Sequence, residues 1–349
     1  MGWDEIEERA VNLSNKREIA AVSDFLSQFD LTYEDAVDYT MLLMQGDSIV
    51  GTGSLSGQVL RNIAVAETRQ GEGLTARIVT SLMKEAARRG HYHYFIYTKP
   101  SAMPQFTGLG FTEVGRAEPY AVLLEAGLDS IHTYLDTLAQ SLAELPEGRR
   151  AGLVVNCNPF TLGHKKIITT AARENQSVVV LAVSEDRSLF PFADRLKLIK
   201  EGLKEYTNIA VLPGGPYVVS AATFPGYFTK GKDTEIAQTR LDAAIFASTI
   251  APRLGIAVRY VGEEPYCPVT SAYNEALREV LPRHGIGIQI IPRLQINGET
   301  VSASTVRAKI RQDDWEGIRQ LVPDSTYNYL ISEEAAPIIA KIKQTQSRH

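Results

Sequence analysis

Cysteine is nearly absent from this chain. Cys157 and Cys267 are the two it has, and they stand too far apart for a C-x-x-C pair, so neither a disulfide framework nor a cysteine-based zinc cluster can be assembled. A reducing cytoplasm is the expected compartment. Long apolar runs are missing as well. The longest, Val178 to Val183, has six residues, whereas a membrane-spanning helix takes ~20. There is no excess of positive charge either: 36 Lys and Arg face 41 Asp and Glu, for a net charge of -5. That removes the basic footprint a nucleic-acid or anionic-membrane partner calls for. The opening Met1-Gly2-Trp3-Asp4-Glu5 is acidic and lacks an apolar stretch, so no signal peptide is expected. No internal repeat or low-complexity tract interrupts the sequence.

What remains is an ordinary globular composition, 44% hydrophobic and 22% charged over 349 residues, enough for about two domains at ~150 residues each. One junction is legible. Ile131, Tyr134, Leu138, Leu142 and Leu145 recur at helical spacing, which predicts a helix over 130–145, and Pro146-Glu147-Gly148 ends it. The expected organisation is a first domain at 1–128, a helical connector at 129–148 and a second domain at 149–349. In the second domain, apolar strand candidates at 152–156, 178–184, 209–212, 258–262 and 286–292 alternate with helical patterns at 165–175, 194–204, 234–253 and 271–284, and helices from Ser304 onward complete it. Buried strands separated by helices predict an α/β fold with a doubly wound parallel sheet. In the first domain, 41–44, 48–54, 62–65 and 92–97 read as strands and 75–89 as a helix stopped by Gly90, which predicts a mixed α+β sheet.

Two turns of the second domain carry chemistry. Asn158-Pro159-Phe160-Thr161-Leu162-Gly163-His164 leaves the first strand and opens the first helix. A helix N-terminus presents unpaired N–H groups and partial positive charge, Gly163 lets backbone approach closely, and Thr161 and His164, three apart, face one cleft. The carboxyl end of a strand is also where open α/β sheets place ligands. The second turn, Val301-Ser302-Ala303-Ser304-Thr305-Val306-Arg307, sets hydroxyls at a helix start before an arginine able to clamp a phosphate. Ser302 or Ser304 caps that helix. Two such cradles can hold opposite ends of one triphosphate.

The first turn resembles the H/T-x-G-H motif of the nucleotidyltransferase superfamily, with Thr161 leading as in its pantetheine-phosphate adenylyltransferase branch. The second resembles that superfamily's I-S-S-T-x-I-R motif at Ser302, Ser304, Val306 and Arg307. The likeness implies a Rossmann-like adenylyl-transfer domain with His164, Thr161 and Arg307 as catalytic residues. It implies ATP contacts from Asn158, Pro159, Phe160, Gly163, Ser302, Ser304 and Thr305, and from Gly262 and Glu263 in Tyr260-Val261-Gly262-Glu263-Glu264-Pro265 after the fourth strand. Arg195, opening the second helix, is a further phosphate candidate, with a surface ion pair as its alternative.

In the first domain, Gln70-Gly71-Glu72-Gly73-Leu74 sits between a strand and a helix. It resembles the Q/R-x-x-G-x-G/A pyrophosphate loop of the GNAT acetyltransferase family, with Thr75 departing from the final small residue. Phe106-Thr107-Gly108-Leu109-Gly110-Phe111 is similar to that family's later F/Y-x-x-x-G-F segment. The resemblance implies that Gln70, Gly71, Gly73, Leu74 and Thr75 grip a coenzyme-A-like acyl-thiol arm. No residue stands out as a base for amine acetylation; Glu67 and Glu113 read as solvated carboxylates.

Taken whole, the layout, with Ser188-Leu189-Phe190-Pro191-Phe192 between the two turns, resembles the citrate lyase ligase family. Membership implies an ATP-dependent, AMP-forming acid–thiol ligase, with Mg²⁺ on the phosphates. Its partners are acetate and the citrate lyase acyl-carrier subunit, whose thiol sits on a dephospho-CoA-derived group. No protein metal site, nucleic acid or membrane is implied. A cofactor adenylyltransferase fused to an amine acetyltransferase, and a non-catalytic nucleotide sensor, stay open as alternatives. Several features are set aside. Gly51-Thr52-Gly53 with Gly57 reads as a hairpin loop. His91 and His93 share a strand face and read as packing, Cys157 reads as a small buried hydrophobe, and Lys230-Gly231-Lys232-Asp233 reads as a solvated loop.

Overall fold

The computed structural model describes residues 6–34, 36–224, 232–264 and 268–345. Residues 1–5, Lys230, Gly231, Pro265 and Cys267 lie outside the described residues. The chain forms two compact units, residues 1–134 with 221–245, and residues 135–220 with 246–349.

The first unit runs β1 (Ile6–Ala10), α1 (Lys16–Ser27), β2 (Tyr39–Gln45), β3 (Ser48–Ser56), β4 (Val59–Val65), α2 (Leu74–Arg88), β5 (His93–Thr98), α3 (Met103–Thr107), β6 (Thr112–Ala117) and β7 (Ala121–Gly127). The strands form one mixed sheet in the order β1-β2-β3-β4-β5-β7-β6, antiparallel except between β4 and β5. The period of two in a strand sorts β2 between two cores: Met41 and Leu43 join the α2 side, Leu42 the α1 side. Helix α2 buries Leu74, Ile78, Val79, Leu82 and Ala86, a stripe at helical spacing.

Two readings change here. Gly51 and Gly53 lie inside β3 and not in a loop, because α2 crosses them closely: a Cβ at Gly53 would sit 2.5 Å from Ile78 Cγ2 and 2.9 Å from Leu82 Cδ1. Gly57, at φ +56, makes the turn into β4. Only His93 of the histidine pair starts a strand. Its Nε2 lies 2.9 Å from Glu125 Oε2, and Glu125 Oε1 accepts the N–H of Ile131 at 2.9 Å, so it is bound up in packing, as expected.

A helix from far along the sequence completes this unit. α7 (Lys232–Ile245) packs on β6 and β7. A Cβ at Gly115 would sit 2.6 Å from Ile245 Cγ1, and the Arg240 guanidinium lies 5.4 Å from the Tyr120 ring centre. Leu241 and Ile245 are fully buried. Each such side chain contributes ~1.5–3 kcal/mol when buried. A fragment ending at residue 128 lacks α7, so it should melt well below the corresponding transition of the full chain, or precipitate. Calorimetry on the fragment checks this, and equal melting temperatures would deny α7 its role.

The second unit takes in most of α4 (Ile131–Gln140), then β8 (Arg150–Val155), α5 (Leu162–Glu174), β9 (Ser177–Ala182), α6 (Phe192–Leu203) and β10 (Ile209–Pro213). After α7 a π-helical turn, Phe246–Ile250, leads into α8 (Ala251–Leu254), β11 (Ile256–Gly262), α9 (Pro268–Val280) and β12 (Gly287–Ile291). The five strands are all parallel, in the order β10-β9-β8-β11-β12. This is a doubly wound sheet whose direction of growth reverses between β8 and β11, the place where ligand crevices open at the carboxyl ends. A short hairpin, β13 (Gln295–Ile296) with β14 (Glu299–Thr300), leads to α10 (Ala303–Arg311), α11 (Trp315–Leu321), α12 (Asp324–Leu330) and α13 (Ala336–Gln344). Val180, Phe160, Leu198, Val306 and Ile338 share its core.

Candidate functional site

β8 delivers the first turn at the reversal point of the sheet. Thr161 is the N-cap of α5: its Oγ1 accepts the His164 N–H, and His164 Nδ1 accepts the Thr161 N–H at 3.1 Å. This reciprocal capping box fixes the imidazole. A nitrogen that accepts a backbone N–H carries no proton of its own, so the neutral ring holds its proton on Nε2, which is left to donate. Burial, helped by the positive charge of Arg293, lowers the His164 pKa to about 4. The ring is therefore neutral near pH 7. Phe160 lies behind it, with ring centres 6.1 Å apart and planes 16° from parallel.

The second turn closes on the first across the unit. Ser302 caps α10 by accepting the Thr305 N–H at 3.0 Å, and its Oγ lies 2.8 Å from the hydroxyls of both Ser304 and Thr305. Arg307, 4% exposed, donates from Nη1 to the Asn158 carbonyl. A Cβ on Gly163 would lie 2.9 Å from the Val301 carbonyl oxygen. Glycine is what allows this approach. The two motifs, far apart in sequence, thus meet in one place.

Other candidates take supporting places. Asn158 is 7% exposed; its Oδ1 accepts the Phe190 N–H at 3.1 Å while its carbonyl holds Arg307. Phe160 is fully buried and Pro159 is buried beside it, so both serve as backing and not as an open contact surface. A Cβ at Gly202 of α6 would meet Phe160 Cε1 at 2.5 Å, so α6 has made room for this ring. Of the alternatives weighed for Arg195, the ion pair is present at long range: its Nη2 lies 3.9 Å from Oδ1 of the exposed Asp186. Its side chain has no exposure, and its nitrogens donate to the carbonyls of Phe190, Asn156, Val183 and Glu185 and to Asn156 Oδ1, at 2.7–3.0 Å. Its donors are thus directed at the loops that follow β8 and β9. Gly262 ends β11 against Ile167 of α5, and Glu263 follows it, exposed. Burial pushes the Cys157 thiol up, so it has no thiolate character.

Sequence reading missed Arg293, which pairs with Glu264 and whose Nε donates to the Glu263 carbonyl. The available signal was position: Pro292-Arg293 directly after the fifth strand, at the sheet's carboxyl edge. Among the described residues no group of three or more His, Cys, Asp or Glu side chains is arranged to hold a metal ion, and no helix is long and apolar enough to cross a membrane.

In the first unit, Gly71 and Gly73 have φ of +84 and +77, and Gly73 is the N-cap of α2 without any side-chain cap. The first N–H groups of α2 are thus not taken up by a capping side chain. Leu74 is buried and Thr75 partly buried at the helix start, with Gln70 extended just before the turn. β4 pairs with β5 only at Val59–Phe95 and Leu60–Ile96, after which the strands part toward their carboxyl ends. The glycine turn follows β4 at that open end.

Comparison with known proteins places the chain in a family. The family description "Citrate lyase ligase C-terminal domain" matches residues 150–330. [Citrate [pro-3S]-lyase] ligase of Klebsiella pneumoniae is 35% identical over 324 residues, covering 91% of this chain and 94% of its own. The chain belongs to the citrate lyase ligase family. [Citrate [pro-3S]-lyase] ligase of Escherichia coli strain K12 is 32% identical, covering 92% of each chain. The ribosomal-protein-S18-alanine N-acetyltransferase structure from Escherichia coli aligns with 36% of this chain and 96% of its own, at 16% identity and a TM-score of 0.30. As a citrate lyase ligase family member the chain is an enzyme of the ligase class, and both capped turns lie within the matched residues.

Proposed function

We propose that this enzyme activates acetate with ATP and passes the acetyl group to the thiol of the citrate lyase acyl-carrier prosthetic group. The observation that carries the reading is the closure of the Thr161–His164 turn on the Val301–Arg307 segment, with Gly163 against Val301 and Arg307 on Asn158. An acetate oxygen attacks the α-phosphorus, and the bond from that phosphorus to the bridging oxygen breaks to release pyrophosphate. Acetate is already an anion, so no base is required, and catalysis reduces to positioning and charge stabilisation. The Nε2–H of His164 and the α5 N-terminus face the reacting phosphate. Ser302, Ser304, Thr305 and Arg307 hold the departing pyrophosphate. ATP enters with Mg²⁺ as counter-ion on its own phosphates. The thiol sulfur then attacks the acetyl adenylate carbonyl, AMP leaves, and the thiol proton passes to solvent.

The first unit supplies the grip on the thiol arm. The α2 N-terminus at Gln70–Thr75 receives the arm's pyrophosphate, and the gap between β4 and β5 receives its extended chain. The enzyme works in the cytoplasm, where the carrier thiol stays reduced.

The decisive experiment incubates the enzyme with ATP and acetate, follows AMP and pyrophosphate, traps acetyl with hydroxylamine, and weighs the acyl-carrier subunit before and after. AMP, pyrophosphate, acetyl hydroxamate and one added acetyl group on the carrier are expected. A dinucleotide product, or ATP binding without turnover, would overturn the reading. Replacing Gly73 with valine should spare hydroxamate formation and lower carrier acetylation about tenfold, the range for one misplaced phosphate contact.

A further inference from the structure

Arg259 lies in the middle of β11 and is only 1% exposed. Its neighbours Val258 and Tyr260 share a core with Ile168 and Ala171 of α5 and with Val306 and Ile310 of α10. The alternation of a strand therefore turns Arg259 to the opposite face of the sheet. There its guanidinium carbon stands 4.1 Å from the ring centre of Phe246 and 5.6 Å from that of Tyr273, and its Nη2 donates to the Tyr273 hydroxyl at 3.1 Å. Among the described residues, Nε and Nη1 have no hydrogen-bond partner and no carboxylate pairs with the cation. The rings offset part of the cost of burying a charge, but they do not take up these two donors. Arg195, buried as fully, directs its nitrogens at four backbone carbonyls. A buried cation without a counter-ion is one of the least favourable arrangements a core can hold.

Charge and position narrow the anion that would complete it. One cation with two open donors is balanced by a monoanion presenting two oxygens, which is a carboxylate. A phosphate dianion would leave a negative charge uncompensated beside the Phe246 ring. In register, Arg259 of β11 pairs with Gly152 of β8, and these are the two strands between which the sheet reverses. The crevice beyond their carboxyl ends holds the nucleotide in the proposed reaction. Displacement at phosphorus sets the attacking and leaving oxygens on opposite sides of the α-phosphorus. Pyrophosphate held at the start of α10 leaves on the face of Val258 and Tyr260, so the nucleophile arrives from the face of Arg259.

We propose that Arg259 binds the carboxylate of acetate and sets the side from which it meets ATP. The proposal rests on the reading that the second unit makes acetyl adenylate. Arg259 forms and breaks no covalent bond. It holds the nucleophile, and the apolar surrounding that Phe246 provides strengthens a charge-assisted hydrogen bond made there.

The test uses the full-length chain with its R259M and R259K variants. One readout is acetate-dependent exchange of labelled pyrophosphate into ATP. The other is thermal melting with the magnesium complex of a non-hydrolysable ATP analogue present. R259M should raise the KM for acetate about thirtyfold or more, the scale of a lost charge-assisted pair, and leave the KM for ATP within about twofold. R259K should recover part of the loss. Because the cation has no counter-ion without acetate, R259M should melt no lower than the native chain. Acetate at about ten times its KM should raise the native melting temperature by about 3 °C more than equal chloride does, and should not do so in R259M. Where exchange by R259M is too slow to give a KM, this acetate shift decides. An unchanged KM for acetate in R259M, or an acetate shift equal to the native one, overturns the inference. So does an R259M that melts lower and raises both KM values alike, which is a structural role. Stabilisation through Arg259 by inorganic phosphate but not by acetate overturns it as well. A native chain that shows no acetate-dependent exchange overturns the adenylate reading, and this inference with it.

Discussion

His164→Ala should reduce acetate-dependent AMP formation by about 10²–10³-fold, the usual cost of one donor aimed at developing charge. The protein should remain folded. The ring does more than donate: its Nδ1 returns a hydrogen bond to the Thr161 N–H, so alanine also opens half of the capping box at about 1 kcal/mol. His164→Asn keeps a donor but loses the ring's reach, and should recover only a small part of the rate. The pH dependence follows from the lowered pKa. Above about 5 the ring is neutral, with its proton on Nε2, and its donation is constant through neutrality. It is disturbed only as pH falls through about 4, when Nδ1 takes a proton and must give up the Thr161 N–H. A pH–rate profile with an inflection near 6.5 that vanishes in His164→Ala would contradict this electrostatic picture. Near-normal turnover in His164→Ala would remove the residue from the mechanism.

Arg195→Ala should be the most damaging single change to the stability of the second unit, by about 3–5 kcal/mol. The substitution empties a fully buried volume and strands the carbonyls of Asn156, Val183, Glu185 and Phe190 at the loops after β8 and β9. For a unit of this size the melting temperature should fall by about 10 °C, and activity should fall with it, since Asn156 lies two residues before Asn158. Arg195→Lys should fare little better, because one ammonium cannot reproduce a planar fork of donors. Differential scanning calorimetry decides the point. A shift of only 1–2 °C accompanied by a raised KM for ATP would return Arg195 to the surface of the nucleotide site.

The residues differ in how much of their role could be read in one dimension. The five strands of the second unit are legible because each is a compact apolar run between helical patterns, and burial on both faces leaves no polar alternation to confuse the reading. In the first unit α1 and the pair β6–β7 escaped. α1 packs against Leu42 and Ala64 in a small core, six buried residues among those described, and β6 carries Thr112, Glu113 and Arg116 on exposed positions that blur its periodicity. Helix α7 was legible as a helix over 234–253. Its assignment to the first unit was not, since nothing local in its side chains says that Ile245 lies over Gly115, more than a hundred residues earlier.

The sequence by itself determined the two capped turns. Thr161 with His164, and Ser302 with Thr305, satisfy helix-start N–H groups by contacts three residues apart, and local spacing suffices to specify such contacts. It likewise determined the class of each sheet, because hydrophobic period and helix–strand alternation are properties of the chain alone. Only the tertiary structure decided which polar side chains remain available to a ligand. Arg195 and Arg307 look alike as helix arginines in sequence. One spends its donors on the carbonyls of its own neighbourhood, and the other reaches across the unit to Asn158. Where a guanidinium's hydrogen bonds go depends on which carbonyls and carboxylates folding brings within about 3 Å, and residues distant in sequence decide that.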